Sequence, residues 1–419
     1  MLSGRIYFVS DLSGTGNLHS VDIDGKDLKQ HTKFKEYYVR NAKSDGKLVV
    51  FQSAGDIYLY DPVKGENRKL DVKILSAPSA LPDKFVDAQK YFEDYSLDRA
   101  GMAISLVSRG IGFVTTLKNG AVLEIGGSGE HVRFPTYLGE NRFLYVSDRE
   151  GNEDIYIRNL DEATSKRIPV GKGIIESLAV SQKGNMAMFS NNRGDLFSLD
   201  LSKGEGAVPQ VLDHSEAGSI SEISISPDGK YALYSYPELH QSLGRGPASI
   251  IKVYSTEEKK AVRLTESGST DFSPVFSGDC NFIYFLSTRS LDPVSDSIVF
   301  DLSFPVTTVI TAVPLNFKAS LKLENLPEAF VKNAIEGNYP IDSLIERQKT
   351  LSIRASDYDS LRSAGDDLLV IDFPIEGMSK YYLFSKLLRS GKLLKVNPFT
   401  GETSVVREGG CGKDPEASV

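Results

Sequence analysis

At 419 residues the chain exceeds what one ordinary core supports, leaving either two domains or one large repeat ring. Hydrophobic residues at 40%, charged residues at 25% and the lack of any run near the ~20 apolar residues of a membrane span describe a water-soluble globular protein. A formal charge of -8 argues against a nucleic-acid partner, and the two cysteines, Cys280 and Cys411, can build neither a disulfide framework nor a metal cluster.

The N-terminal "MLSGRIYFVSD" runs directly into a strand pattern without an export signal, which predicts a cytoplasmic location. Short apolar runs then recur: "IYFV" from 6, "LVVF" from 48, "AISLV" from 103, "FLYV" from 143, "MAMF" from 186, "YALY" from 231, "FIYFL" from 282 and "LLVI" from 368. Successive side chains of a strand point to opposite faces, so a continuous apolar run predicts a strand buried on both sides. Tight-turn sequences precede these runs, among them "SDGK" (44–47), "QKGN" (182–185) and "PDGK" (227–230). More polar strands follow them, such as "DIYLYD" (56–61) and "DIYIRNLD" (154–161), which read as moving toward solvent.

Four-stranded antiparallel sheets repeated at this interval predict an all-β chain of β-propeller blades, the innermost strand lying before each tight turn. Two gaps interrupt the rhythm. "ILSAPSALPDKF" predicts a break, with residues 1–72 as the last blades of a first propeller, 73–88 as a linker and 89–410 as a second, incomplete propeller, followed by a tail at 411–419. The second gap, 316–365, carries "LPEAFVKNAIEG" and "PIDSLIERQKT" and predicts short helices inserted between blades. The first unit begins at its second strand and the tail offers nothing to close a ring, so both ends are expected to continue into a larger protein.

Chemical motifs are scarce. "GGSGE" (126–130) fails as a nucleophile elbow, and neither "GTGN" (14–17) nor "GRGP" (244–247) completes a nucleotide-binding loop. The five histidines are scattered, and Asp-rich turns such as "DREGNED" (148–154) lack calcium-loop spacing, so no cofactor or metal is predicted. One feature remains: Arg109, Arg149, Arg193 and Arg289 each follow the buried second strand of a different unit. Equivalent turns share one face of a propeller, so these residues are expected to ring one mouth of its channel. Pairing with a neighbouring aspartate such as Asp148 or Asp195 is the competing role.

The stretches at 4–47 ("GRIYFVSDLSGTGNLHS…") and 269–306 ("STDFSPVFSGDCNFIYFLSTRSLDP…"), the latter with "TRSLDP" at 288–293, resemble the archaeal tricorn protease family. The resemblance covers the propeller region only. It implies a six-bladed propeller ending near residue 72 and most of a seven-bladed one from about residue 88, in a serine peptidase whose catalytic residues match no position of this chain. By the same resemblance, oligopeptides would reach a peptidase core through the larger propeller, with that core and a hexamer-type assembly as partners, and the arginine collar would meet peptide carboxylates. "SISPDGKYALYS" (224–235) also resembles TolB-like and WD40-like interaction propellers, leaving a stand-alone peptide- or protein-binding module as the alternative.

Overall fold

The computed structural model describes residues 2–411, apart from 74–84, 242–246, 296–301, 333–336, 375–389 and the single positions 3, 99, 117, 119, 128, 140, 163, 172, 305 and 325. The chain divides into two compact units, Met1–Phe85 and Val86–Val419. The linker and tail expected at 73–88 and 411–419 fall largely outside the described residues, as does most of the "GRGP" turn.

The smaller unit holds a three-stranded sheet (Arg5–Ser10, Asn17–Asp22, Lys29–Gln30) and a four-stranded one from Val39–Ser44 to Glu66–Lys69. Its core joins Leu18, Val39, Phe51 and Tyr60. In the larger unit, six four-stranded antiparallel sheets follow one another along the chain. We number these blades 1 to 6, at residues 92–125, 132–168, 175–214, 221–263, 271–350 and 357–411. Each is a meander whose strands lie side by side in chain order.

The second strands carry the apolar runs, and Arg142–Ser147, Met186–Asn191 and Phe282–Ser287 are buried almost throughout. That burial is what a strand sandwiched between neighbouring blades requires. First strands pack against one another in order, blade 1 on 2, 2 on 3, 3 on 4, 4 on 5 and 5 on 6, giving the radial stacking of a β-propeller. The core is correspondingly divided into clusters between consecutive blades. Leu144 and Val146 of blade 2 meet Ala187 and Phe189 of blade 3, and Tyr284 of blade 5 meets Leu361 and Val370 of blade 6. Each large side chain buried this way contributes about 1.5–3 kcal/mol.

Two features differ from the sequence expectation. The helices, α1 (Phe317–Leu323), α2 (Glu328–Lys332) and a 3-10 turn at Ile341–Arg347, lie within blade 5, between its third strand Val309–Pro314 and its fourth, Lys349–Thr350. They therefore do not separate two blades. The insertion is also shorter than 316–365, because Lys349–Thr350 and Asp357–Ala364 are strands that the polar, weakly alternating sequence concealed.

A further regularity was not legible: the first strand of every blade in the larger unit shifts register against its neighbour. In four of them a non-glycine residue sits at positive φ within the shift, namely Phe134, Glu222, Ser273 and Ser360. A bulge bends and twists a strand locally, which suits the crowded inner position, and each left-handed residue costs about 1 kcal/mol or more.

Candidate functional site

All four arginines directly follow the second strand of a blade: Arg109 in blade 1, Arg149 in blade 2 and Arg193 in blade 3 lie in the turn to the third strand, whereas Arg289 in blade 5 opens a longer connection, 288–308, that carries its own hairpin of Val294–Ser295 and Leu302–Ser303. The turns themselves differ. Arg109 and Gly110 both lie at positive φ (52° and 73°) between the paired residues Ser108 and Ile111, a two-residue hairpin of the kind matched to strand twist. A Cβ on Gly110 would meet His131 Cδ2 at 2.3 Å, so a side chain there would have to displace the His131 ring, and the positive φ favours glycine as well. In blade 2, the Gly151 N–H donates to the Asp148 carbonyl at 2.7 Å across the arginine. In blade 3, Asn191 Oδ1 accepts from the N–H groups of Arg193 and Asp195, both at 3.0 Å.

The guanidinium surroundings fall into two classes. Arg149 donates through Nε to Glu130 Oε1 at 2.6 Å and through a second nitrogen to the same oxygen, and its guanidinium lies over the Tyr156 ring. The Glu130 side chain is only 5% exposed and also accepts from Ser147 Oγ at 2.8 Å. Arg289 donates to Ser287 Oγ (2.6 Å), Gln348 Oε1 (3.0 Å) and Asp271 Oδ1 (3.2 Å). The Asp271 side chain is 0% exposed, and burial pushes its carboxyl above the usual range against the pull of the Arg289 guanidinium. Its Oδ2 is buried without a hydrogen-bond partner among the described residues.

Arg109 and Arg193 differ: both are exposed and, among the described residues, neither forms an ion pair. Arg109 lies 5.5 Å from the centroid of Tyr91. The aspartates expected as partners are engaged elsewhere. Asp148 accepts from the His131 backbone N–H at 2.8 Å, while Asp195 contacts His214 Nδ1 at 2.8 Å and accepts from Asn191 Nδ2 at 3.2 Å.

The acids that do hold arginines come from the start of the same blade, 19 and 18 positions upstream in sequence. Glu130 lies just before the first strand of blade 2, and Asp271 opens that of blade 5. Aligning the repeats on the second strand would have exposed this spacing. Chemically, the arrangement supplies two anchored cations and two open ones at equivalent positions. An open guanidinium can grip a carboxylate through paired N–H donors.

Comparison with known proteins assigns this architecture. Residues 92–408 match the family model described as the tricorn protease second beta propeller domain. The tricorn protease of Thermoplasma volcanium is 31% identical over 91% of this chain and 36% of its own length. The tricorn protease homolog of Saccharolobus solfataricus is 33% identical over 89% of this chain and 33% of its own length. The crystal structure of the tricorn protease superimposes with a TM-score of 0.69 at 26% identity, covering 97% of this chain and 39% of that one. The chain thus spans roughly a third of the length of these curated relatives. With the stacked blades and the family match coinciding over 92–408, the chain belongs to the tricorn protease family through its second β-propeller domain.

Proposed function

We propose that this chain is the substrate-gating propeller part of a tricorn-like serine peptidase that degrades oligopeptides in the cytoplasm, and that it does not cleave peptides by itself. The observation that carries the reading is the recurrence of an arginine directly after the second strand of four blades in a chain of formal charge -8. Oligopeptides end in carboxylates, and a cationic rim on an acidic protein attracts such ends and selects for them. Catalysis belongs, on this reading, to a peptidase core with which the propeller works, in a hexamer-type assembly. The domain scheme of a first propeller ending near residue 72 and a second beginning near residue 89 is part of the same proposal.

The split among the arginines refines it. Arg109 and Arg193 supply the open positive charge, while Arg149 and Arg289 are held to buried acids. The chain contains no tryptophan, so a tryptophan-bearing peptide reports its own binding by fluorescence. Peptides with a free C-terminal carboxylate should bind more tightly than their amidated forms, and that preference should vanish in the Arg109→Gln/Arg193→Gln chain. Equal binding of both peptide forms by the unaltered chain would remove the collar from the proposal.

A further inference from the structure

A histidine joins the two sheets of the smaller unit. His31 follows the short strand Lys29–Gln30, and its backbone N–H donates to the Leu18 carbonyl at 2.8 Å, continuing the pairing with Asn17–Asp22. Its ring then bridges the sheets: Nε2 lies 2.7 Å from Ser20 Oγ in the first sheet, and Nδ1 lies 2.7 Å from the Tyr60 hydroxyl in the second. Tyr7 stacks on the imidazole with ring centroids 5.1 Å apart, and the Tyr60 ring packs at 4.9 Å. Ser20 is fully buried and Tyr60 is 3% exposed.

The hydrogen bonds around this ring suit its neutral form. A neutral imidazole donates from one nitrogen and accepts at the other. Arg5 Nε donates to Ser20 Oγ at 2.8 Å, so the serine's own hydrogen is free to point at Nε2, and Nδ1–H then donates to Tyr60. Protonation puts a hydrogen on both nitrogens. Nε2 must then donate to a serine oxygen that already accepts from Arg5, and the serine hydrogen is turned into a fully buried site where it needs a new acceptor. Burial first, and then the charges of Arg5, His19 and Lys29, hold the ring below the ordinary imidazole range. The other titratable neighbours keep their state near neutral pH. Lys29 and Arg5 hold the Asp27 carboxyl below its usual range, and burial, with Tyr7 and Asp61 adding to it, raises the Tyr60 phenol.

We propose that His31 is a pH-sensitive fastener between the two sheets of the smaller unit, closed while its ring is neutral and loosened when the ring takes up a proton. The sign follows from linkage. The folded imidazole value lies below the unfolded one of about 6.5, so the contribution of His31 to stability is complete above the unfolded value and is lost as pH falls through the folded one. The device belongs to the smaller unit and is independent of the arginine collar.

The test is hydrogen exchange of the full chain followed by mass spectrometry, at about pH 7.5 and about pH 5.5 and expressed as protection factors, which reads the smaller unit separately from the larger. Protection over residues 17–22 and 56–61 is expected to fall about threefold or more toward acid. His31→Gln, whose amide takes up no proton in this range, should lose that pH dependence. Tyr60→Phe removes the link to the second sheet and should leave these strands weakly protected at both pH values. Imidazole NMR of the unaltered chain, with His31 assigned through its contact with the Tyr7 ring, should show this ring titrating below the ordinary range. Protection in the unaltered chain that does not change with pH, an equal fall in His31→Gln, or a His31 ring that titrates above the ordinary imidazole range overturns the proposal.

Discussion

Blades 2 and 5 carry an arginine directly after their second strand, as blades 1 and 3 do, yet in the first pair it is latched and in the second it is open. The difference lies at the entrance to the first strand. Where that position is Glu130 or Asp271, the guanidinium folds back onto a buried carboxylate. In blade 1 the residue 18 before Arg109 is Tyr91, which offers a ring face, and in blade 3 the corresponding residues are Ile174 and Ile175, which offer nothing to a cation. The residue 18 or 19 positions before the arginine therefore distinguishes the latched arginines from the open ones.

The largest expected consequence is a difference in stability. Arg289→Gln leaves Asp271 buried without its cation, and Arg149→Gln does the same to Glu130, which among the described residues keeps only Ser147. Each loss should cost about 1–3 kcal/mol, with Arg289→Gln at the upper end because Asp271 is the more deeply buried. Arg109→Gln and Arg193→Gln should stay within about 0.5 kcal/mol of the unaltered chain. Denaturant melts of the four variants check this ranking, and four equal values would dissolve the distinction.

A smaller effect separates the two latched blades. Burial raises the Asp271 carboxyl above its unfolded value, so its contribution to stability is present below the unfolded pKa and is lost as pH rises through the folded one. Asp271→Asn removes that loss while keeping the shape of the side chain. Between about pH 4 and about pH 7 the variant should gain stability relative to the unaltered chain. Melting curves at both pH values test the sign, and a relative loss toward neutral pH would show that the Arg289 pair outweighs the burial cost.

Much of this architecture could be read from residue patterns because blade burial is a local signal. Runs such as "FLYV" at 143 and "FIYFL" at 282 must be sandwiched, and both are. That an arginine directly follows the second strand in four blades was legible in the same way. Partner identity was less direct, since Glu130 and Asp271 stand 19 and 18 positions upstream at the entrance to the neighbouring first strand, where only an alignment of the repeats reveals them, and neighbours such as Asp148 are nearer in sequence. The strands at Lys349–Thr350 and Asp357–Ala364 were missed because the first is two exposed polar residues long and the second buries its residues without a regular alternation of apolar side chains. Bulges in the first strands left no mark because serine, glutamate or phenylalanine occupies positions where glycine would have signalled positive φ.

The smallest effect on stability is the most direct test of the comparison, because it converts one class into the other. Ile174 is 49% exposed and stands 19 positions before Arg193, as Glu130 stands 19 before Arg149. Ile174→Glu should place a carboxylate within reach of Arg193. The new pair is solvent-exposed, so its gain is expected to be at most about 1 kcal/mol and to fade with added salt. Its effect on ligand should be larger in proportion, since a guanidinium occupied by its own glutamate is withdrawn from a peptide carboxylate. Weaker binding of free-carboxylate peptides with unchanged binding of amidated ones would show that the entrance residue sets the state of the arginine. Unaltered binding of both would mean that Arg193 takes no part in the collar, leaving Arg109 as its one open cation among the described residues.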